Sequence, residues 1–182
     1  MNVKVKAIVS VLVSALLMVP IYIILHEGGH ALVAFLCGGR ITAFSVVGAY
    51  MSFEGGSFTT VTMSLFHAAG MLLPVLAAVV YMLTYRSNIE SIPYRMFSLI
   101  AMAAPAGSVF AWIIVPVLYL AGQAPPNDDV TKFIDHSGLN PWVVMLAAVV
   151  IIACYLFIAW KKKIVQTYWK TVNVKPQKGG PI

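Results

Sequence analysis

Charged residues are scarce in this chain of 182 residues: only 10% are Asp, Glu, Lys or Arg, and six residues are acidic. Hydrophobic residues make up 60% of the chain, and the mean hydropathy is +0.89. A typical soluble domain carries about 25% charged residues, so this composition excludes an ordinary globular protein. The sequence predicts an integral membrane protein without a separate soluble domain.

Cysteine is also rare, and the distribution of positive charge is uneven. Cys37 and Cys154 are the only two cysteines and lack the paired spacing of a cysteine-ligated zinc site or a disulfide framework. The net charge is +6, but six lysines lie in the last 22 residues, directly after an apolar run. Such a cluster is typical of an anchor that touches anionic lipid. We therefore expect contact with the bilayer and no binding to nucleic acid.

The predicted fold class is an all-α integral membrane protein with about four transmembrane helices. A span needs about 20 apolar residues, and four segments meet this requirement. We expect one transmembrane domain over residues 1–160, followed by an unstructured basic tail over residues 161–182. Residues 40–60 are rich in β-branched and aromatic residues broken by glycine, which favours a short β-hairpin or a re-entrant loop. The predicted spans cover about residues 7–37, 61–85, 96–121 and 141–160.

The first span contains the motif His26-Glu27-Gly28-Gly29-His30, an H-E-x-x-H pattern. Residues four apart lie on one face of a helix, so His26 and His30 can reach the same metal ion. Glu27 is placed to take a proton from an attacking water molecule. Imidazoles and a carboxylate at membrane depth are costly unless they pair, coordinate an ion or line a wet cavity. The motif predicts a zinc hydrolase; the alternative is a structural polar cluster.

The number of membrane crossings limits the choice of a third metal ligand. The motif lies near the Gly38 end of the first span, and two further crossings return the chain to the same face after residue 121. A catalytic zinc ion needs three protein ligands and an open position. We prefer Asp129 at the start of a predicted short helix, with Asp128 as the alternative, although the pair can also be read as a solvated helix cap. The candidates on that face are Glu54, Asp128, Asp129, Asp135 and His136.

A second feature of the spans is a stretch of small residues that includes His67, Gly70 and Pro74. Small residues let another helix approach closely in a membrane. His67 either faces the metal site, as a secondary site residue, or forms a hydrogen bond between helices. We favour the interhelical hydrogen bond.

These residues together resemble the site-2 protease family of intramembrane zinc metalloproteases. The resemblance rests on H-E-G-G-H in a transmembrane helix, a Gly-Gly-Arg exit, a strand-like loop and a small-residue helix, and covers roughly residues 20–141. It is closest to small bacterial members without extra domains. It implies that His26 and His30 bind Zn²⁺ and that Glu27 is the general base. It also implies that Asp129 completes the zinc site and that the loop after Gly38 presents substrate as an extended strand.

The expected function is therefore zinc-dependent cleavage of membrane-bound proteins or peptides. The alternative is a non-catalytic metal-binding membrane protein, such as a pseudoprotease, a chaperone or a transporter component. Positive residues concentrate on the side of the termini, which predicts a multi-pass protein of the bacterial cell membrane with both termini in the cytoplasm. The same bias places the site toward the extracytoplasmic face. The sequence does not indicate an oligomeric state.

Overall fold

The computed structural model describes residues 2–173, which form helices and one β-hairpin. Four of the helices in this part of the chain are long and apolar enough to cross a membrane: Val3–Leu36, Thr60–Thr84, Ile92–Leu120 and Pro141–Lys161. This confirms the predicted fold class of an all-α integral membrane protein. The segment after the first span, predicted to be a short β-hairpin or a re-entrant loop, forms a β-hairpin. The elements are α1 (Val3–Leu36), β1 (Gly39–Ser45), β2 (Tyr50–Gly55), α2 (Thr60–Thr84), α3 (Ile92–Leu120), α4 (Asp129–Ser137), α5 (Pro141–Lys161) and α6 (Ile164–Val172).

Helix α1 is longer than the membrane is thick. Its 34 residues run through Pro20 as one assigned helix and correspond to about 50 Å at 1.5 Å per residue, against a hydrocarbon core of about 30 Å. The helix ends where Gly38 takes a left-handed conformation (φ +82°) and donates its N–H to the Phe35 carbonyl at 3.0 Å. This end point places His26 and His30 in the last turns of α1, near one face of the bundle.

The hairpin lies next to these turns because aromatic side chains fix it to α2. Strands β1 and β2 are antiparallel, with Gly39 opposite Gly55 and an irregular register between Ile41 and Ala43. The Phe53 ring of β2 lies 5.4 Å from the Phe66 ring of α2, measured between ring centroids. Aromatic pairs at this separation stabilise packing beyond the area that they bury. The hairpin is therefore held beside the motif.

Helices α1 and α2 approach each other closely at a glycine. A Cβ atom on Gly29 would lie 2.2 Å from the backbone oxygen of Ala69, so no larger residue fits without moving one helix. Small residues at helix crossings in membranes permit this kind of backbone contact. The close approach brings the motif on α1 against the middle of α2.

The opposite end of the bundle holds α6, where the structure corrects a prediction. We expected residues 161–182 to lack regular structure, but Ile164–Val172 form a helix. Residues 174–182 lie outside the described residues. The helix buries Ile164, Thr167 and Thr171, and the Tyr85 and Arg95 side chains hydrogen-bond Thr167 and Thr171 at 2.5 and 2.9 Å. The buried positions share one helical face, a periodic signal that the abundance of lysine obscured.

Candidate metal centre

Helix α4 is short, and its ends are well defined by the local sequence. Asp128 is the N-cap and accepts a hydrogen bond from the Val130 N–H at 2.9 Å, while Gly138 ends the helix in a left-handed conformation. Val130 and Ile134 are buried in the core. With these residues packed inward, Asp129 in the first turn faces the motif on α1.

Three donor atoms from α1 and α4 converge on one point. The distances are 3.4 Å between His26 Nε2 and His30 Nε2, 3.1 Å between His30 Nε2 and Asp129 Oδ2, and 3.4 Å between His26 Nε2 and Asp129 Oδ2. Donors of a tetrahedral zinc ion with bonds of about 2.0–2.1 Å lie about 3.3–3.4 Å apart. The spacing of the three donors therefore fits a metal ion of this size.

The hydrogen bonding of His30 also fits a bound cation. Its Nδ1 lies 2.7 Å from the Phe66 carbonyl oxygen, to which it donates its proton. In the neutral imidazole this leaves a lone pair on Nε2, which points at the Asp129 carboxylate. A lone pair and a carboxylate oxygen at 3.1 Å repel each other unless a proton on Nε2 or a metal ion lies between them. A backbone carbonyl that fixes the tautomer is also the usual partner of a metal-binding histidine.

Asp129 is ionised in this setting. Burial by itself raises the pKa of its carboxyl group, but the nearby imidazoles of His26, His30 and His67 outweigh burial and hold that pKa well below its usual range. Metal ions bind the deprotonated form of a carboxylate. The electrostatic surroundings thus keep Asp129 in the form that binds a cation.

Glu27 lines the same cavity as the three donors. The cavity has a volume of about 310 Å³, and the Glu27 residue is only 8% exposed. Part of the wall is formed by Ala49 in the turn before β2 and by Tyr50 and Met51 at the start of β2. Asn127 and Lys132, which were not among the predicted site residues, also line it. The three donors, a further carboxylate and the start of a strand therefore line one open space.

The other acidic or histidine candidates lie away from the three donors. Asp128 is occupied as the N-cap of α4. Glu54 is exposed on β2 and lies 3.4 Å from Arg40. Asp135 accepts a hydrogen bond from the Tyr119 hydroxyl at 2.6 Å, and the exposed His136 bonds the Lys132 carbonyl through Nδ1 at 2.8 Å. Among the described residues, the one group of three that could hold a metal is His26, His30 and Asp129.

Within residues 2–173, the structure does not contain the interhelical hydrogen bond that we favoured for His67. The residue is 6% exposed, and neither ring nitrogen has a hydrogen-bond partner among the described residues. It lines the cavity, with Nδ1 3.7 Å from Asp129 Oδ1. That interpretation failed because the fold of α4 over α2 cannot be read from the neighbours of His67 in the sequence.

Gly70 provides the space for both imidazoles, a role that the sequence indicated only as general small-residue packing. A Cβ atom on Gly70 would lie 2.4 Å from His30 Nε2 and 2.7 Å from His26 Cε1. The His30 ring cannot easily give way, because its Nδ1 is bonded to the Phe66 carbonyl. The glycine therefore determines where the imidazoles lie.

We predict that Gly70→Ala displaces the imidazoles and weakens metal binding. Loss of a hydrogen bond that supports a metal ligand lowers metal affinity about 10–100-fold, and we expect the effect of Gly70→Ala to be at least as large. The measurement is zinc affinity by competition with a chromogenic chelator. Gly107→Ala is the matched control, since a Cβ there meets nothing within 4 Å. Equal zinc affinity of the two variants would contradict the steric role of Gly70.

Comparison with known proteins places the chain in a family. The Peptidase M50B-like family matches residues 3–124, about two thirds of the chain. The matched region contains His26, Glu27, His30 and His67 and ends before Asp129. No curated protein and no solved structure gives a significant match. The match agrees with the resemblance to site-2 proteases and, with the four apolar helices, indicates a multi-pass membrane protein of a peptidase family. The chain belongs to the Peptidase M50B-like family.

Proposed function

We propose that the protein is a zinc-dependent endopeptidase that cleaves membrane-bound polypeptides within or beside the bilayer. The observation that carries the proposal is the convergence of the His26, His30 and Asp129 donors in a cavity that Glu27 also lines. Three protein ligands beside an open space are typical of a catalytic zinc site, whereas structural sites are closed by four ligands. When bound, zinc makes water more acidic and polarises a peptide carbonyl.

Glu27 is the general base in this proposal. It follows His26 directly on α1, and its largely buried side chain lines the cavity. Its carboxylate accepts the proton that the attacking water loses and then donates it to the nitrogen of the departing amine. One carboxylate can perform both transfers because the two events follow each other at the same peptide bond.

Strand β2 presents the substrate in this proposal. Its first residues, Tyr50 and Met51, line the cavity, and within residues 2–173 the strand pairs only with β1. An extended peptide can add to a free strand edge through main-chain hydrogen bonds. A transmembrane helix satisfies its own carbonyls internally, so a substrate must unwind locally before it can be cleaved. Substrates with helix-breaking residues near the cleaved bond should therefore be preferred.

The proposed location is the bacterial cell membrane, with both termini in the cytoplasm and the site toward the other face. Lys4 lines a groove with Tyr168 and Val172 of α6, so the N-terminus and α6 lie at one end of the bundle. Arg95 also contacts α6. A concentration of positive charge at one end supports a cytoplasmic position for that end. The proposed partners are lipid and a membrane protein or peptide substrate.

Zinc content and metal removal test the proposed function. Purified wild-type protein should hold about one zinc ion per chain, the content of a single three-ligand site. A chelator that removes this zinc should stop cleavage of a reporter whose transmembrane segment contains glycine and proline, and added zinc should restore cleavage. Folded wild-type protein that binds no zinc when zinc is supplied would overturn the proposal.

A further inference from the structure

His67 is a buried polar residue without an evident structural role. It is 6% exposed, and both of its ring nitrogens lack hydrogen-bond partners among the described residues. The large majority of buried side-chain polar groups in proteins are hydrogen-bonded, so an exception calls for an explanation. The ring packs against the His136 ring of α4, with 5.0 Å between centroids, and against Phe66 at 5.3 Å. These ring contacts give neither nitrogen a hydrogen-bond partner.

The position of His67 relative to Asp129 suggests what it does. His26 and His30 approach Oδ2 of the carboxylate at 3.4 and 3.1 Å, whereas His67 approaches Oδ1, with its Nδ1 at 3.7 Å. The two carboxylate oxygens thus face different imidazoles. A hydrogen bond between nitrogen and oxygen requires about 2.7–3.2 Å, so a shift of about half an ångström brings Nδ1 into bonding distance.

We propose that His67 is a positioning residue for Asp129. Its neutral imidazole donates the Nδ1 proton to Oδ1, which holds Oδ2 toward His26 and His30. This inference rests on the proposed zinc site and adds to it a residue that acts through Asp129 and does not bind the metal. Ligating carboxylates are themselves commonly hydrogen-bonded, and loss of such a partner typically weakens metal binding about 10–100-fold.

A purely structural role for His67 makes the opposite prediction. His67 has no hydrogen bond to lose among the described residues, so an apolar residue of similar size should not destabilise the fold by breaking one. If His67 only fills space between α2 and α4, leucine should preserve zinc binding. If His67 positions Asp129, leucine should preserve the fold and weaken zinc binding.

The experiment compares zinc affinity and cobalt spectra for wild-type protein and three variants, His67→Leu, His67→Asn and His67→Gln. An asparagine amide nitrogen lies near the position of histidine Nδ1, and a glutamine amide nitrogen lies near that of Nε2. We expect zinc binding to weaken about 10–100-fold in His67→Leu and to be largely restored in His67→Asn but not in His67→Gln. The visible absorption of bound Co²⁺, which reports ligand geometry, should change in the same order.

The matched control is His136→Gln, which removes the exposed ring beside His67 and should leave zinc affinity unchanged. Thermal unfolding of the metal-free variants separates folding from binding. Zinc affinity and cobalt spectra of His67→Leu equal to those of wild type would overturn the inference while leaving the proposed function intact. If His67→Leu does not fold, equal affinities of His67→Asn and His67→Gln would overturn it. A wild-type protein that binds no zinc would instead overturn the proposed function.

Discussion

Glu27→Gln should abolish cleavage while zinc remains bound. Glutamine has nearly the same shape as glutamate, but its amide cannot accept the proton from water at neutral pH. General acid–base catalysis contributes about 10²–10⁴-fold to a rate, so we expect a loss of at least this size. The measurement is the initial rate of reporter cleavage, normalised to the zinc content of each preparation.

The matched control for this variant is Glu54→Gln. Glu54 is an exposed glutamate on β2 that lies 3.4 Å from Arg40, and an exposed ion pair of this kind stabilises a protein by only about 0–1 kcal/mol. Its cleavage rate should match that of wild type. Wild-type cleavage by Glu27→Gln would show that Glu27 is not the base. If the variant also supported growth of a strain that needs the protein, the non-catalytic alternative would be favoured.

Asp129→Asn should remove most of the bound zinc. The substitution keeps the size of the side chain but replaces an ionised carboxylate with a neutral amide, which leaves two imidazoles to hold the ion. Loss of a supporting residue around a zinc site costs about 10–100-fold in affinity, and loss of a direct ligand should cost more. Metal analysis of purified protein and chelator competition measure the effect.

Asp128→Asn is the matched control for that prediction because the two aspartates are adjacent. The asparagine side chain would still cap α4, since asparagine and aspartate are equally good N-caps. Loss of the cap altogether would lower the stability of the protein by about 1 kcal/mol. Zinc content and thermal stability of Asp128→Asn should therefore stay close to wild type. Loss of zinc in Asp128→Asn but not in Asp129→Asn would show that Asp128, and not Asp129, is the third zinc ligand.

Much of the fold follows from local properties of the sequence. Apolar segments of spanning length predicted four transmembrane helices, and β-branched and aromatic residues between glycines favoured the hairpin that forms. The four-residue spacing of His26 and His30 predicted a shared helical face. Counting crossings then limited the third donor to one face of the membrane, which is where Asp129 lies.

Other features depend on contacts that no local pattern contains. Asp129 is separated from His30 by 99 residues, and its neighbour Asp128 has the same side chain in the same polar loop. The two aspartates differ in their positions at the start of α4. Asp128 is the N-cap, and its carboxylate accepts a hydrogen bond from the Val130 amide, whereas Asp129 is the first residue of the helix and faces α1. The same distant packing brings His67 to Asp129, places Gly70 against both imidazoles, and folds α6 onto Tyr85 and Arg95.

The sequence alone therefore determined that this is a membrane protein with a paired histidine motif, because helical periodicity and hydropathy act between near neighbours. The tertiary structure decided which carboxylate meets that motif and which residues support it. These choices depend on how α1, α2 and α4 pack against one another. Their packing places the side chains of His26, His30 and His67 within 4 Å of Asp129.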